Sequence, residues 1–315
     1  MTAKPAPRLI GAFVLGLVGA RALRSCLALY RAPVGDISRP TAATRELHGS
    51  AALLAASVLA DSAMEHFRGS FENPGMYAPL ISSALALAAG TEGVVVGSLG
   101  AREFRRRSFM LSGGIGILGL GFHLYNIFKR PGGLSWLNLF YGAPVGAPAA
   151  LSVSGLTGLA AEQLADETRA PTRLLWFSAG RALAAFTSFT LAGTVAEAAL
   201  LHFRGAFQNP FMWAPVSLPP VASVLMAKAS LSRQSETHPF TRAWLWATAA
   251  LGLIGAGFHA YGVSRAMGGW RNWSQNLIDG PPLPAPPSFS ALSLAGLSAL
   301  SLIEKDAHEA RQSEV

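Results

Sequence analysis

The chain has 315 residues, of which 51% are hydrophobic and only 13% charged, with a mean hydropathy of +0.36. Soluble domains carry about 25% charged residues, so the composition excludes an ordinary soluble protein and points to an integral membrane one. The formal net charge of +8 comes from short basic clusters between apolar runs, the pattern of topology-setting charge facing anionic lipid rather than of a nucleic-acid binder.

Residues 1–45 form an N-terminal segment. Its apolar stretch, Leu9–Ala20, is short and is followed by Arg21 and Arg24. A cleavable signal, a ninth span or a helix lying against the bundle would each fit, although the basic residues after Gly19 and Ala20 weigh against cleavage. A membrane-spanning helix needs about 20 mostly apolar residues. Residues 46–170 supply four such runs, at 47–67, 77–99, 108–128 and 147–165. Residues 171–304 supply four more, at 176–202, 212–231, 243–263 and 286–304, and residues 305–315 form a charged cytoplasmic tail.

Two phrases tie these halves together. HFRG-x-F-x-NP-x-M-x-AP occurs at His66–Pro79 and again at His202–Pro215, and GxGFHxY occurs at Gly119–Tyr125 and at Gly255–Tyr261. Both pairs are 136 residues apart (His66 to His202, His123 to His259). The expected fold is therefore all-α and polytopic, a tandem duplication of a four-helix transmembrane unit with eight spans. Four spans per unit give both units the same orientation, related by an axis along the membrane normal. The phrases end the first and third helix of each unit, so His66, His123, His202 and His259 are expected at one membrane face.

The distribution of Lys and Arg suggests which face. The loops away from the histidines carry Arg102, Arg105, Arg106, Arg107, Arg169, Arg173, Lys228, Arg233 and Arg242, with Lys305 and Arg311 in the tail. The histidine side carries Arg68, Lys129, Arg130, Arg204, Arg265 and Arg271. This bias places the histidines on the non-cytoplasmic side of a bacterial inner membrane. Trp136, Tyr141, Trp213, Trp270 and Trp273 crowd the same face, as an interfacial belt would.

Two histidines at similar depth on parallel helices are what axial ligation of haem b requires, and neutral imidazole also suits copper, zinc or iron. Each is equally able to cap its helix and hydrogen-bond the loop that follows. Asp61 and Glu197 precede the first histidine of each unit by five residues, about 7 Å deeper along the helix. At that spacing they leave the histidine's helix face and are expected to reach the third helix, beneath His123 or His259. There they would handle protons or orient a ligated imidazole.

Arg68 and Arg204 are candidates to clamp an anionic group or to snorkel toward lipid. Glu65, beside His66, has Leu201 as its counterpart. Asn73-Pro74 and Asn209-Pro210 read as turn punctuation. Tyr125 and Tyr261 read as interface anchors or proton-coupled partners. The loops through Gly132-Gly133, Trp136, Asn138, Pro144 and Pro148, and through Gly268-Gly269, Trp273, Asn276, Pro282 and Pro286, are expected to fold over the histidine ends as lids. On the opposite side Glu92 has Lys228 as its counterpart, which suggests a pair across the two units.

A single cysteine, Cys26, excludes an internal disulfide and a CxxCH haem attachment. No P-loop, HExxH, GxSxG or Rossmann glycine pattern is present, so neither nucleotide nor nucleic-acid chemistry is expected. Three functions lead, ahead of a membrane-embedded enzyme of unknown type. The first is a membrane redox subunit, with haem b or a transition metal on the histidines and a quinone as electron partner. The second is a transporter or binding protein for a small anionic solute. The third is a structural or assembly subunit. Membrane lipid, and other membrane or periplasmic subunits, are the partners these readings imply.

Overall fold

A computed structural model of the chain describes residues 42–96, 101–166, 173–174, 177–232 and 238–313. The N-terminal apolar stretch and Cys26 lie outside the described residues. In chain order the long helices are α1 (Ala42–Arg68), α2 (Ala78–Val95), α3 (Arg102–Phe128), then the short α4 (Trp136–Tyr141), and α5 (Gly146–Asp166). The second half continues with α6 (Ala179–Arg204), α7 (Ala214–Leu231), α8 (Pro239–Arg265), the short α9 (Trp273–Asp279), and α10 (Pro287–Ser313). The extended pairing among the described residues is a two-residue ladder, β1 (Arg173–Leu174) against β2 (Phe177–Ser178), ahead of α6. Proline sets several helix starts. Pro79, Pro215 and Pro239 occupy the first turns of α2, α7 and α8, where the missing N–H has no helical partner to lose.

Among the described residues seven helices are long and apolar enough to cross a membrane: α1, α2 with the turn before it, α3, α6, α7 with its turn, α8 and α10. The protein is thus a helical membrane protein. The remaining long helix, α5, has 21 residues and is less apolar, with Glu162, Gln163 and several Ser, Thr and Gly residues. The tail expected at 305–315 is the continuation of α10, which runs through Lys305 and Arg311 without a break.

The helices form two rings of four. α1 packs on α2, α2 on α3, α3 on α5, and α5 back on α1. In the same way α6 packs on α7, α7 on α8, α8 on α10, and α10 on α6. α1 and α3 therefore stand across the first ring from each other, as α6 and α8 do across the second. The rings join mainly along α1 and α10, whose shared core includes Leu47, Leu54, Leu292 and Leu300. Of α10's apolar stretch 72% is buried, against 22% for α7 and α8, which makes α10 the central helix of the molecule. α5 meets α6 at only a few residues, so the two rings are not joined symmetrically.

Small residues bring the helices together. A Cβ on Gly116 would run into Ser152 of α5, and one on its counterpart Gly252 into Ser290 of α10. One on Gly155 would meet the backbone of Gly113, and one on Gly158 the ring of Phe109. Serine hydroxyls then cross the seams: Ser154 donates to the Ala51 carbonyl at 2.8 Å, Ser290 to Ala249 at 2.6 Å and Ser298 to Ala43 at 3.0 Å. Because lipid is as apolar as the side chains, close van der Waals contact and such bonds hold a membrane bundle together. Gly121, on the same helix as Gly116, has open space around it. Gly116→Val should lower the melting temperature of the detergent-solubilised protein by an overpacking cost of roughly 1–3 kcal/mol, whereas Gly121→Val should leave it unchanged. Equal effects would contradict the α3–α5 contact.

Candidate functional site

The first signature phrase is a turn whose residues each have a local task. α1 ends in a reversal in which Phe71 N–H returns to the His66 carbonyl at 3.0 Å and Ser70 N–H to Phe67 at 2.9 Å. In the second copy Phe207 N–H returns to His202 and Ala206 N–H to Phe203. The reversal puts two consecutive non-glycine residues in the left-handed region, Ser70 and Phe71 (φ 54° and 48°) and Ala206 and Phe207 (φ 53° and 46°). Such backbone persists only where its surroundings enforce it. Stacking does so here: Phe71 lies on Tyr77 at 4.5 Å between centroids and Phe207 on Trp213 at 4.2 Å. The Asn73 side chain then accepts from Gly75 N–H, and Asn209 from Phe211 N–H, starting the turn that leads into α2 or α7.

The histidines are tied into these loops. His66 Nδ1 donates to the Met76 carbonyl at 2.7 Å, and His259 Nδ1 to Pro282 at 2.7 Å. His123 Nδ1 donates to Pro144. The His202 ring sits edge-on to Phe207, and its buried Nδ1 faces the Met212 carbonyl without a hydrogen bond of normal geometry. Three of the four imidazoles thus carry the proton on Nδ1 and leave Nε2 as the unprotonated nitrogen. His66 and His123 lie within electrostatic reach of each other, and so do His202 and His259. All four occupy one end of the bundle, on helices that face each other across each ring.

The lids cross between the rings. α4 and the loop after it lie against the end of α6: Phe140 packs edge-on to Phe203 at 5.8 Å, and the Arg204 guanidinium lies over the Phe140 ring at 5.1 Å. A cavity of about 20 Å³, room for one water, is lined there by Gly142, Pro144 and Val145 on one side and Glu197, Leu201 and Arg204 on the other. In turn α9 touches α1.

Glu197 reaches across to the first ring. Its carboxylate accepts the Gly146 N–H at the start of α5, where the exposed amides of a helix start favour negative charge. It therefore sits beside the lid whose Pro144 carbonyl holds His123. Asp61 has no matching donor, because Pro284 stands where the first lid has Gly146 and carries no N–H. It lies within electrostatic reach of Glu65, Arg68 and Glu197. The two acids therefore lie within electrostatic reach of each other across the rings.

The two arginines also differ in setting. Arg68 pairs with Glu65 at 2.9 Å, and Arg204 stacks on aromatic rings, so they do not form a matched anion clamp. Tyr125 and Tyr261 are exposed, with Lys129 and Arg265 over their rings at 5.6 and 6.0 Å. That is the setting of interface anchors. Trp136, Tyr141, Trp213, Trp270 and Trp273 are likewise exposed around this end.

At the opposite end the structure assembles a buried charged quartet that repeat comparison does not reveal. Arg105 is not a loop charge: it is 2% exposed and bridges Glu92 and Glu162, themselves 7% and 2% exposed. Its Nε donates to Glu162 at 2.5 Å and its Nη1 to Glu92 at 2.7 Å. His48, 2% exposed, completes the group at 2.7 Å from Glu162. Glu92 therefore pairs within the first ring and not with Lys228. His48 and His66 share α1 and lie about 27 Å apart along it, close to the thickness of a hydrocarbon core.

The turn geometry is open to direct test. Ala206→Val should destabilise the protein by about 1–2 kcal/mol, because a β-branched residue fits poorly at positive φ, whereas Ala206→Gly should be neutral or stabilising. Equal melting temperatures for the two variants would contradict the left-handed reversal. Comparison of the chain with protein-family models, with curated proteins and with solved structures finds no match.

Proposed function

We propose that this protein is a membrane redox subunit in which the paired histidines, His66 with His123 and His202 with His259, bind haem b near one membrane face. The observation that carries the reading is the Nδ1-donating arrangement of His66, His123 and His259. A ligating histidine characteristically donates its other ring N–H to a carbonyl or carboxylate, which fixes the ring and leaves Nε2 for the metal. Among the described residues no three His, Cys, Asp or Glu side chains gather as a bare-ion site requires. Two imidazoles per ring instead suit a group that brings its own equatorial ligands. Haem supplies one-electron chemistry when bound. The chain's own residues would hold it, orient it and manage charge around it.

In this reading Glu197, held by Gly146, and Asp61, in electrostatic reach of it, are the acids that take protons from a quinol-type electron partner. The exposed Tyr125 and Tyr261 anchor the site at the lipid boundary. We further read α5 as an eighth span. Its 21 residues extend about 31 Å, and its polar residues are largely turned into the bundle. The two units would then be a tandem duplication. The excess of Arg and Lys at the quartet end supports a cytoplasmic position for that end, with the histidines outside the cytoplasm in a bacterial inner membrane. The solute-carrier reading draws no comparable support from Arg68 and Arg204, since one is neutralised by Glu65 and the other is stacked. An assembly role is the alternative that the tests below separate.

The test is an absorption spectrum of the detergent-purified protein, oxidised and dithionite-reduced, with iron and copper analysis of the same sample. A Soret band that shifts on reduction is expected. His66→Ala or His123→Ala should remove about half of it, one of the two pairs, while the protein still inserts. A folded, colourless sample free of iron and copper would remove the proposal.

A further inference from the structure

The quartet at the other end is independent of the haem reading. Around His48, α1 contributes the Thr44 carbonyl, α2 contributes Glu92, α3 contributes Arg102 and Arg105, and α5 contributes Glu162. α10, on the far flank of α1, approaches with Ser298 on the Ala43 carbonyl, and its Glu304 is engaged by Arg242. Gly93 lies so close to the His48 ring that a Cβ there would overlap it, so the imidazole is sealed in place.

The hydrogen-bond partners fix the proton count. A carbonyl only accepts, so His48 Nδ1, 2.8 Å from the Thr44 oxygen, carries a proton. Nε2 lies 2.7 Å from Glu162 Oε1, and two lone pairs cannot meet at that distance, so a second proton lies between them. Glu162 also receives Arg105 side-on, Nε to Oε1 at 2.5 Å and Nη2 to Oε2 at 3.3 Å, the fork that recognises a carboxylate.

We infer that the His48–Glu162 contact is a proton-binding site, and that its proton, resting on Nε2, is what makes the buried quartet electrically neutral. Two carboxylates, Glu92 and Glu162, are then balanced by two cations of like burial, Arg105 and His48, whereas Arg102, 3.9 Å from Glu162 with its side chain 29% exposed, faces the cluster from its hydrated edge, where water screens its charge. Without the proton a net negative charge is left among four helices where water cannot solvate it. The site is thus a proton-held clasp joining α1, α2, α3 and α5.

The test compares melting of the full-length protein in detergent for three variants. His48→Gln keeps a donor toward Glu162 but not the charge, and should melt lower by roughly 5–10 °C, as breaking a buried charge pair implies. In Glu162→Gln the side-chain amide can donate to a neutral imidazole and leaves no unbalanced carboxylate, so the loss should be less than half as large. The double variant H48Q/E162Q is neutral again and should recover most of the fall seen in H48Q. Should H48Q fail to accumulate, folded and monodisperse H48Q/E162Q is the same positive result. H48Q melting like the parent, or H48Q/E162Q melting at or below H48Q or failing to fold, would overturn the inference.

Discussion

Hydrocarbon offers no hydrogen-bond partner, and the architecture follows from that constraint. Every polar group within the membrane must be satisfied by the chain itself. Ser154, Ser290 and Ser298 answer it by donating to carbonyls of neighbouring helices, and Asn73 and Asn209 answer it by capping the turns that follow α1 and α6. His66, His123 and His259 answer it by donating to loop carbonyls. The charged quartet answers it by closing on itself, with Arg105 spending three nitrogens on two carboxylates. Among the described residues the charged side chains and histidines are concentrated toward the two ends of the bundle, with small, apolar and hydroxyl residues between.

Much of this was legible in the sequence. The recurrence of both phrases at one spacing locates the ends of α1, α3, α6 and α8 and brings the four histidines to one end. The Asn-Pro steps announce the turns, and the aromatic residues of the lids announce an interface. What spacing could not show is long-range pairing. His48 and Glu162 are 114 residues apart and meet only because the first ring closes. Comparison of the repeats also led away from the quartet, since His48, Glu92 and Arg105 correspond to Ala184, Lys228 and Thr241. A feature carried by one half only is invisible to a search for what the halves share. The same limit applies to Glu197, whose partner Gly146 belongs to the other ring.

The two rings resemble each other in order and differ in assembly. α1 lies along α10, whereas α6 meets α5 at only a few residues. Glu197 finds a helix start, and Asp61, opposite Pro284, does not. Each lid reaches the helix end of the other ring, so the histidine end is a composite in which Pro144 links His123 to the cavity beside Glu197 and Arg204. Residues that look equivalent in sequence therefore act in different surroundings, and paired substitutions need not have equal effects.

The account rests on the protonation of the signature imidazoles, because a ring that donates from Nδ1 offers Nε2 to a ligand and one that donates from Nε2 does not. The most direct measurement is nitrogen-15 NMR of histidine-labelled protein in detergent, with resonances assigned by single His→Ala variants. The account predicts an Nδ1–H at His66, His123 and His259, whether or not a group is bound to Nε2. Rings protonated on Nε2 with bare Nδ1 would contradict both the loop contacts and the ligand role built on them.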